Sequence, residues 1–540
     1  DTSNLTTEEK VSNLVVEGSK KDLIVYLDEL LQKYSPIDII NGPLMTGMDE
    51  VGRLFNNNDL IVAEVLQSAE VMKASVSHLE QFMEKDESSV KGKVIMATVK
   101  GDVHDIGKNL VGIIIGNNGY EVIDLGINTP AEKIREAIIE HKADFLGLSG
   151  LLVKSATEMV NTMGVLHEAG IDIPIFVGGA ALTEKFTVNK IEPAYKNNIV
   201  IYSRDAMTAL ADLNKMIDEK KFEEFRKYLQ KRRELVTIKD AKKLEQLKVK
   251  PTVSDIKDAD GTFDFSKVEL PKYDFEKIYK PQTLNKQIIT NIKAKDVFPF
   301  INLQMLIGKH LGMKWIVNNL IEKQDPRTIK LYNEILDIIE NGNEYFDIKA
   351  IYKFFPVRRK AGERKEDFKI EVLSDDLSTV LETFDFPRQK YGQYLSLNDY
   401  VNPDGIDYIG FFVATAGEKS RLVSNELKEK GEFYRGHIVN SVGLELAEAT
   451  SEYIHKMMRQ DVGIIDKDIS INEILNAQYQ GNRYSFGYPA CPDLSDQRKL
   501  FNLLKPERYG ISLTEEFMMY PEATVSAIVF SQPFCKYFNM

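Results

Sequence analysis

The turn Lys100-Gly101-Asp102-Val103-His104-Asp105-Ile106-Gly107 holds the side chains of this 540-residue chain best suited to chemistry. Asp102 lies two residues before His104. At that spacing a carboxylate can hold one ring nitrogen while the other faces a metal. Gly101 and Gly107 permit a tight turn and close approach by a large ligand. By itself D-x-H-x-x-G is a weak pattern, and a histidine in a polar surface turn is the competing reading. Two further features add weight: Ser149 falls in Leu148-Ser149-Gly150-Leu151, and Gly178-Gly179 closes another apolar run.

The elements that must position these residues are legible in the hydrophobic periodicity. β-rich runs at Val94–Val99, Glu121–Leu125, Phe145–Leu148, Ile175–Val177 and Ile199–Tyr202 alternate with amphipathic helical stretches. That is the βαβ rhythm of an open parallel sheet, and five such units predict a flavodoxin-like domain over 89–215. Ligands bind such sheets at the carboxyl ends of the strands, where the His104 turn, Ser149 and Gly178-Gly179 all fall. Thr129-Pro130-Ala131-Glu132 reads as a helix start, with a capping hydroxyl, proline at the first helical position and a capping-box glutamate. Upstream, Thr7–Glu17, Lys21–Lys33, Ile37–Phe55 and Ile61–Glu84 carry apolar residues at helical spacing, which predicts a four-helix bundle over 1–88. Residues 216–251 are crowded with Lys, Glu and Arg and predict a solvated helical linker ending at Pro251. An α+β domain is expected over 252–540. The fold class is therefore multidomain: helical bundle, five-stranded parallel α/β domain, and α+β domain.

Composition bounds the partners. The net charge of −13 excludes an extended phosphate-binding face and so argues against nucleic acid. No apolar run reaches the roughly eighteen residues of a membrane helix. Residues Asp1 to Lys10 are polar, unlike a secretory signal. Two cysteines, Cys491 and Cys535, exclude a disulfide framework or thiolate cluster and suit a reducing cytoplasm.

Taken together, D-x-H-x-x-G, then S-x-L, then G-G resembles the signature of proteins that bind cobalamin with its own base displaced. The resemblance implies His104 as the lower ligand of cobalt, Asp102 as its hydrogen-bond partner and Ser149 as the next member of the relay. It places Gly101, Val103, Asp105 and Gly107 around the cofactor. Ser155 and the segment Val177 to Ala180, including Gly178 and Gly179, are implied to line the pocket for the nucleotide tail. Asp205 and Ala206 fall near its far end, and Val153 stands where family members often have threonine. Asn41-Gly42-Pro43-Leu44-Met45 and Met48–Phe55 resemble the helical cap of methionine synthases. By that match Phe55, Val62 and Val65 cover the upper face and exclude water. The same match implies Asn41, which stands where relatives commonly carry glutamate, as a corrin contact.

Arg483-Tyr484-Ser485-Phe486-Gly487-Tyr488-Pro489-Ala490-Cys491-Pro492-Asp493 resembles the R-x-x-x-G-Y-P-A-C-P-D element of the methionine synthase activation domain. That domain binds S-adenosylmethionine and remethylates oxidised cobalamin. The resemblance implies that Asp296 receives the methionyl amino group and Arg483 the carboxylate, which suits a guanidinium fork. Glu448, Tyr488, Tyr537 and Phe538 fall at further binding positions. Ala477 and Leu494 stand where relatives have glutamate and histidine, and Phe354-Phe355-Pro356-Val357 loosely resembles the usual turn there. Cys491 reads as a packed loop residue.

The family resembled is cobalamin-dependent methionine synthase, and the match covers its C-terminal half, with methylcobalamin and S-adenosylmethionine as cofactors. Complete members carry two further barrels, for homocysteine with zinc and for methyltetrahydrofolate. Neither barrel is read in this chain, so zinc is not expected in it. Those domains, as missing segments or separate chains, and a flavodoxin-like electron donor are the implied partners. A corrinoid carrier for methanol or methylamine metabolism is the alternative, disfavoured because such carriers end after the cobalamin domain. A cobalamin-based light sensor would need a DNA-binding helix pair, which the sequence does not offer.

Overall fold

A computed structural model describes residues 5–83, 90–151, 153–179, 182–247, 265, 268–362, 368–466 and 469–539. These form two compact units. The first takes the residues up to 245 together with Ile307–Ile329 and Arg421–Ser441; the second takes Lys330–Ser420, Val442 onward and the described residues of 246–306.

The first unit opens with helices Thr7–Glu17, Leu23–Leu31, Pro36–Ile39, Met45–Asn56 and Val62–Leu79. Thr6 and Glu9 form a reciprocal capping box at the start, which satisfies two otherwise orphaned donors. Leu27, Leu44, Val51 and Val65 meet in its core. The stretch Ile37–Phe55, expected as one helix, is interrupted at Gly42, whose φ of −91° and ψ of −105° are not helical. Pro43 follows, and a proline ring clashes with the preceding helical turn.

The parallel sheet has five strands: β1 (Lys93–Thr98), β2 (Glu121–Asp124), β3 (Phe145–Ser149), β4 (Ile175–Gly178) and β5 (Val200–Tyr202). Their order is β2-β1-β3-β4-β5, with every pairing parallel. This is the flavodoxin-like order, whose topological switch point lies between β1 and β3. Gly147 on β3 makes the middle of the sheet possible. A Cβ there would lie 2.4 Å from both Met96 Sδ and the Phe176 ring, which cross above it from the flanking strands. Gly147→Ala is expected to cost about 1–3 kcal/mol through overpacking. Thermal unfolding of the purified chain checks this, and an unchanged transition would mean the two side chains move aside freely.

Two local expectations are corrected. Helix Ala131–His141 is entered through Pro130, and Thr129 makes no cap bond; its hydroxyl turns back to Leu125 and Ile127 carbonyls. An extended ψ of 150° at Pro130 puts the helix one residue later than the capping-box pattern implies. The linker is helical over Glu219–Leu247 and most of its side chains up to Glu234 are exposed, yet one face of its first turns is docked. Phe225 and Leu229 are buried in the core of the first unit, and Arg232 and Arg233 pair with Glu184 and Glu192. Sparse apolar residues three and four apart are enough to dock one face.

The second unit is built on a seven-stranded sheet: β6 (Gln287–Ile289), β7 (Lys349–Ala361), β8 (Phe368–Leu373), β9 (Val380–Phe384), β10 (Asp407–Thr415), β11 (Asn482–Tyr484) and β14 (Thr524–Phe530). A two-stranded ribbon, β12 (Ser512–Leu513) and β13 (Met519–Tyr520), lies between the last two in sequence. The order is β11-β14-β10-β7-β8-β9, with β6 also on β7. Phe354-Phe355-Pro356-Val357, read as a turn, lies in the middle of β7, paired with β10. Pro356 is tolerated there because on the other side β6 pairs only with Ala350 to Tyr352 and β8 only from Val357 onward, so no ladder bond needs its missing N–H. One face buries Phe355, Phe384, Phe411 and Tyr484. The other packs Phe412, Ala527 and Val529 against Ile454 and Met458 of helix Phe433–Asp461. Among the described residues no helix is long and apolar enough to cross a membrane.

Candidate functional site

β1 delivers its loop to the switch point, and the loop is organised around one buried carboxylate. Asp102 is fully buried. Its Oδ1 accepts the His104 backbone N–H at 2.9 Å and lies 2.7 Å from His104 Nδ1. Its Oδ2 accepts the Leu151 N–H at 2.7 Å and the Ser155 hydroxyl at 2.5 Å. Burial would raise the Asp102 carboxyl, but hydrogen bonds and charge from His104, together with the Ser155 bond, hold it below the usual carboxylate range. The His104 side chain is 25% exposed. With Nδ1–H donated to the carboxylate, Nε2 is the ring nitrogen that carries the lone pair.

Three loops stack at this point because glycines let their backbones touch. Gly101, at a φ of 80°, donates its N–H to Asn128 Oδ1 at 2.7 Å. A Cβ on Gly150 would meet Ser155 Cβ at 2.6 Å and Asp102 Oδ2 at 3.4 Å. A Cβ on Gly179 would sit 1.7 Å from the Gly150 carbonyl oxygen. The loops after β1, β3 and β4 are thus one assembly. Gly107 differs, since a Cβ there would meet nothing within 4 Å.

The hydroxyl in the relay is a correction. Ser149, expected next to Asp102, ends β3 in register with Thr98 and Gly178, while Ser155 reaches the carboxylate. A strand residue cannot turn its side chain along the sheet edge; one in the first turn of helix Val153–Glu168 can. The signal available in the sequence was the second serine, six residues on, beyond a turn that starts a helix. Lys108 was also missed. It is 2% exposed, and its ammonium lies 2.6 Å from both oxygens of Asp124 at the end of β2. Burial pushes Lys108 below the usual lysine range against the pull of Asp124.

Other expected contacts are distributed unevenly. Val103 is buried. Asn41 and Asp105 line one cavity of about 980 Å³, together with Lys108 and Met45. Asp105 Oδ1 is buried without a hydrogen-bond partner. Of the expected lid, Val65 lies in the core of the helical bundle and Phe55 packs against that core. Val62 packs against Leu66, Ala69 and Phe433, and against Gly312. The apolar face of helix Val62–Leu79, Val65 included, is used here for bundle packing. Asp205 caps helix Ala206–Ile217 through the Thr208 N–H, and Ala206 is buried behind it. Val153 begins its helix; its side chain and Ala180 lie outside the described residues.

In the second unit, Asp296 is exposed on the short helix Ala294–Val297, and Glu448 is exposed on helix Phe433–Asp461. Arg483 on β11 donates from Nη1 to Glu452 and to the Tyr479 hydroxyl. Gly487, at a φ of 86°, and Cys491 close the turn that leaves Tyr488 56% exposed. Tyr537 stacks on Tyr484 at 6.0 Å and is half exposed, whereas Phe538 is buried against Tyr400. Leu494 packs on Gly487, and Ala477 adopts a φ of 51°. Burial pushes the Cys491 thiol up to about 12, and its hydrogen is donated to the Ser485 carbonyl, so it is inert.

Residues 289–540 match the family described as vitamin B12 dependent methionine synthase, activation domain. Residues 92–211 and 7–80 each match a family described as B12 binding domain. Methionine synthase of Mycobacterium tuberculosis (strain ATCC 25618 / H37Rv) is 32% identical over 564 residues, spanning 98% of this chain and 46% of that protein. Methionine synthase of Mycobacterium leprae (strain TN) is 31% identical over 573 residues, with the same shares. The chain therefore spans about half the length of the curated relatives it matches. A crystal structure of the MetH reactivation domain bound to AdoHcy is similar at 23% identity and a TM-score of 0.44, over 53% of this chain and 87% of that one.

Proposed function

We propose that the chain belongs to the vitamin B12-dependent methionine synthase family and is the cobalamin-carrying and reactivating half of such an enzyme. The whole reaction is methyl transfer from methyltetrahydrofolate to homocysteine, in the cytoplasm, with the folate and homocysteine domains and a flavodoxin-like electron donor as partners. The observation that carries the reading is the Ser155–Asp102–His104 chain at the carboxyl end of β1. Cobalamin, when bound, supplies a cobalt that accepts and surrenders the methyl group.

The residues present fit that group. One imidazole is oriented by a buried carboxylate, which leaves Nε2 for a metal. Gly107 opens onto space, and Asp105 Oδ1 is a buried acceptor suited to the amide hydrogens of a corrin. Asp102 keeps the proton on Nδ1, and Ser155 and the Leu151 N–H hold the carboxylate still while it does so. In the second unit Arg483 receives the carboxylate of S-adenosylmethionine, Asp296 its amino group, and Tyr488 offers an exposed ring.

His104→Gly tests the reading. Bound methylcobalamin should lose the visible-spectrum signature of a protein lower ligand, while affinity for S-adenosylmethionine stays nearly unchanged. Loss of both together would show that the two sites are not separate.

A further inference from the structure

Arg483 does not stand alone. It is the end of a chain of side chains that runs back into the second unit. Glu452, 8% exposed, takes Arg483 Nη1 through Oε1. The Tyr479 hydroxyl accepts from the same Nη1 at 3.3 Å and donates to Glu452 Oε2 at 3.3 Å, which closes a triangle. Tyr479 is itself fixed on both sides: the Arg459 guanidinium lies 4.0 Å from its ring centroid, and the His455 ring meets it edge-on at 5.1 Å. Arg459 is 2% exposed and anchored by Asp466, its Nη2 lying 2.5 Å from Oδ2.

We propose that Glu452 and Tyr479 are positioning residues that aim Arg483 at the carboxylate of the S-adenosyl ligand, an inference that rests on the S-adenosylmethionine reading above. A guanidinium recognises a carboxylate through a planar edge with two parallel N–H groups. With Nη1 committed to Glu452 and Tyr479, the edge that meets the ligand is Nε–Nη2. A preorganised fork loses less freedom on binding. Without Glu452 the Nε–Nη2 edge is no longer fixed, and Glu448 one helical turn away, whose charge also acts on the guanidinium, is left to compete for it. Loss of the Glu452 charge therefore weakens ligand binding, despite removing a negative group from the neighbourhood.

The test is calorimetric titration of the full chain with S-adenosylhomocysteine and with 5′-methylthioadenosine, which keeps the nucleoside and the sulfur but has no amino-acid carboxylate. Glu452→Gln and Tyr479→Phe should each weaken S-adenosylhomocysteine binding roughly tenfold and leave methylthioadenosine within about twofold. The two variants are needed together, because a misfolded Glu452→Gln protein would lose both ligands while Tyr479→Phe keeps the ring packing. Equal loss of both ligands in Tyr479→Phe would reduce the pair to a structural role and overturn the proposal. Unchanged or tighter S-adenosylhomocysteine binding would overturn it as well. A wild-type chain that binds neither ligand would instead refute the underlying reading.

Discussion

Asp102→Ala should cost the parallel-sheet fold about 4 kcal/mol and abolish His104 ligation of cobalamin in the same protein. The carboxylate accepts four donors at once, from His104 N, His104 Nδ1, Leu151 N and Ser155 Oγ. Removing one member of a buried charged network leaves the others desolvated and unpaired, at about 3–5 kcal/mol. Asp102→Asn is not a conservative replacement here. An amide nitrogen turned toward Leu151 meets an N–H that cannot become an acceptor, and turned toward His104 it meets another. Ser155→Ala removes one donor and leaves the carboxylate three, so about 1 kcal/mol is expected. Hydrogen–deuterium exchange at β1 and β3 of the full chain reads the local stability, and the visible spectrum of added methylcobalamin reads the ligand. The order Ala above Asn above Ser155→Ala is required. If Ser155→Ala costs as much as Asp102→Ala, the carboxylate is not the centre of the assembly.

The sheet and the histidine were legible because both leave local signatures. Period-two and apolar runs at Val94–Val99 and Phe145–Leu148 mark strands whatever surrounds them, and the coarse order follows from βαβ connectivity. His104 and Asp102 are two residues apart, so their meeting needs only a tight turn. Ser155 was misassigned for the opposite reason: it meets Asp102 across 53 positions of sequence, and which of two serines arrives depends on where a helix begins. The packing of the expected lid residues was hard to read on a similar ground. Val65 and Phe55 have the spacing of bundle core and of a lid alike, and spacing cannot distinguish a face that covers a cofactor from one that covers its neighbours. In the second unit the Arg483 motif was readable as a string, but Glu452 and Tyr479 reach it from a helix and a loop that carry no motif. The loose resemblance of Phe354-Phe355-Pro356-Val357 to a family turn misled, because a proline inside a strand can be recognised as tolerable only once the partner strands on both sides are known.

Gly179→Ala and Gly107→Ala should move stability in opposite directions, and the contrast separates scaffold from ligand site. At Gly179 a Cβ would lie 1.7 Å from the Gly150 carbonyl oxygen and 2.8 Å from its carbon, at a φ of 153°. The obstacle is backbone and cannot rotate away. Gly150 is itself pinned, its N–H donating to the Gly178 carbonyl at 3.3 Å and its Cα facing Ser155 and Asp102. Overpacking and an unfavourable backbone angle together predict a loss of about 4 kcal/mol, and with it the Ser155 contact to Asp102. At Gly107, inside helix Ile106–Gly116 and with nothing within 4 Å of the added methyl, alanine should stabilise the chain by about 0.5–1 kcal/mol through helix propensity alone. The same methyl stands in the space the corrin needs. Methylcobalamin affinity, measured by equilibrium dialysis, should therefore fall in the more stable protein. A Gly107→Ala chain that is both more stable and undiminished in cobalamin binding would place the corrin elsewhere and leave the glycine as nothing more than a tolerated helix residue.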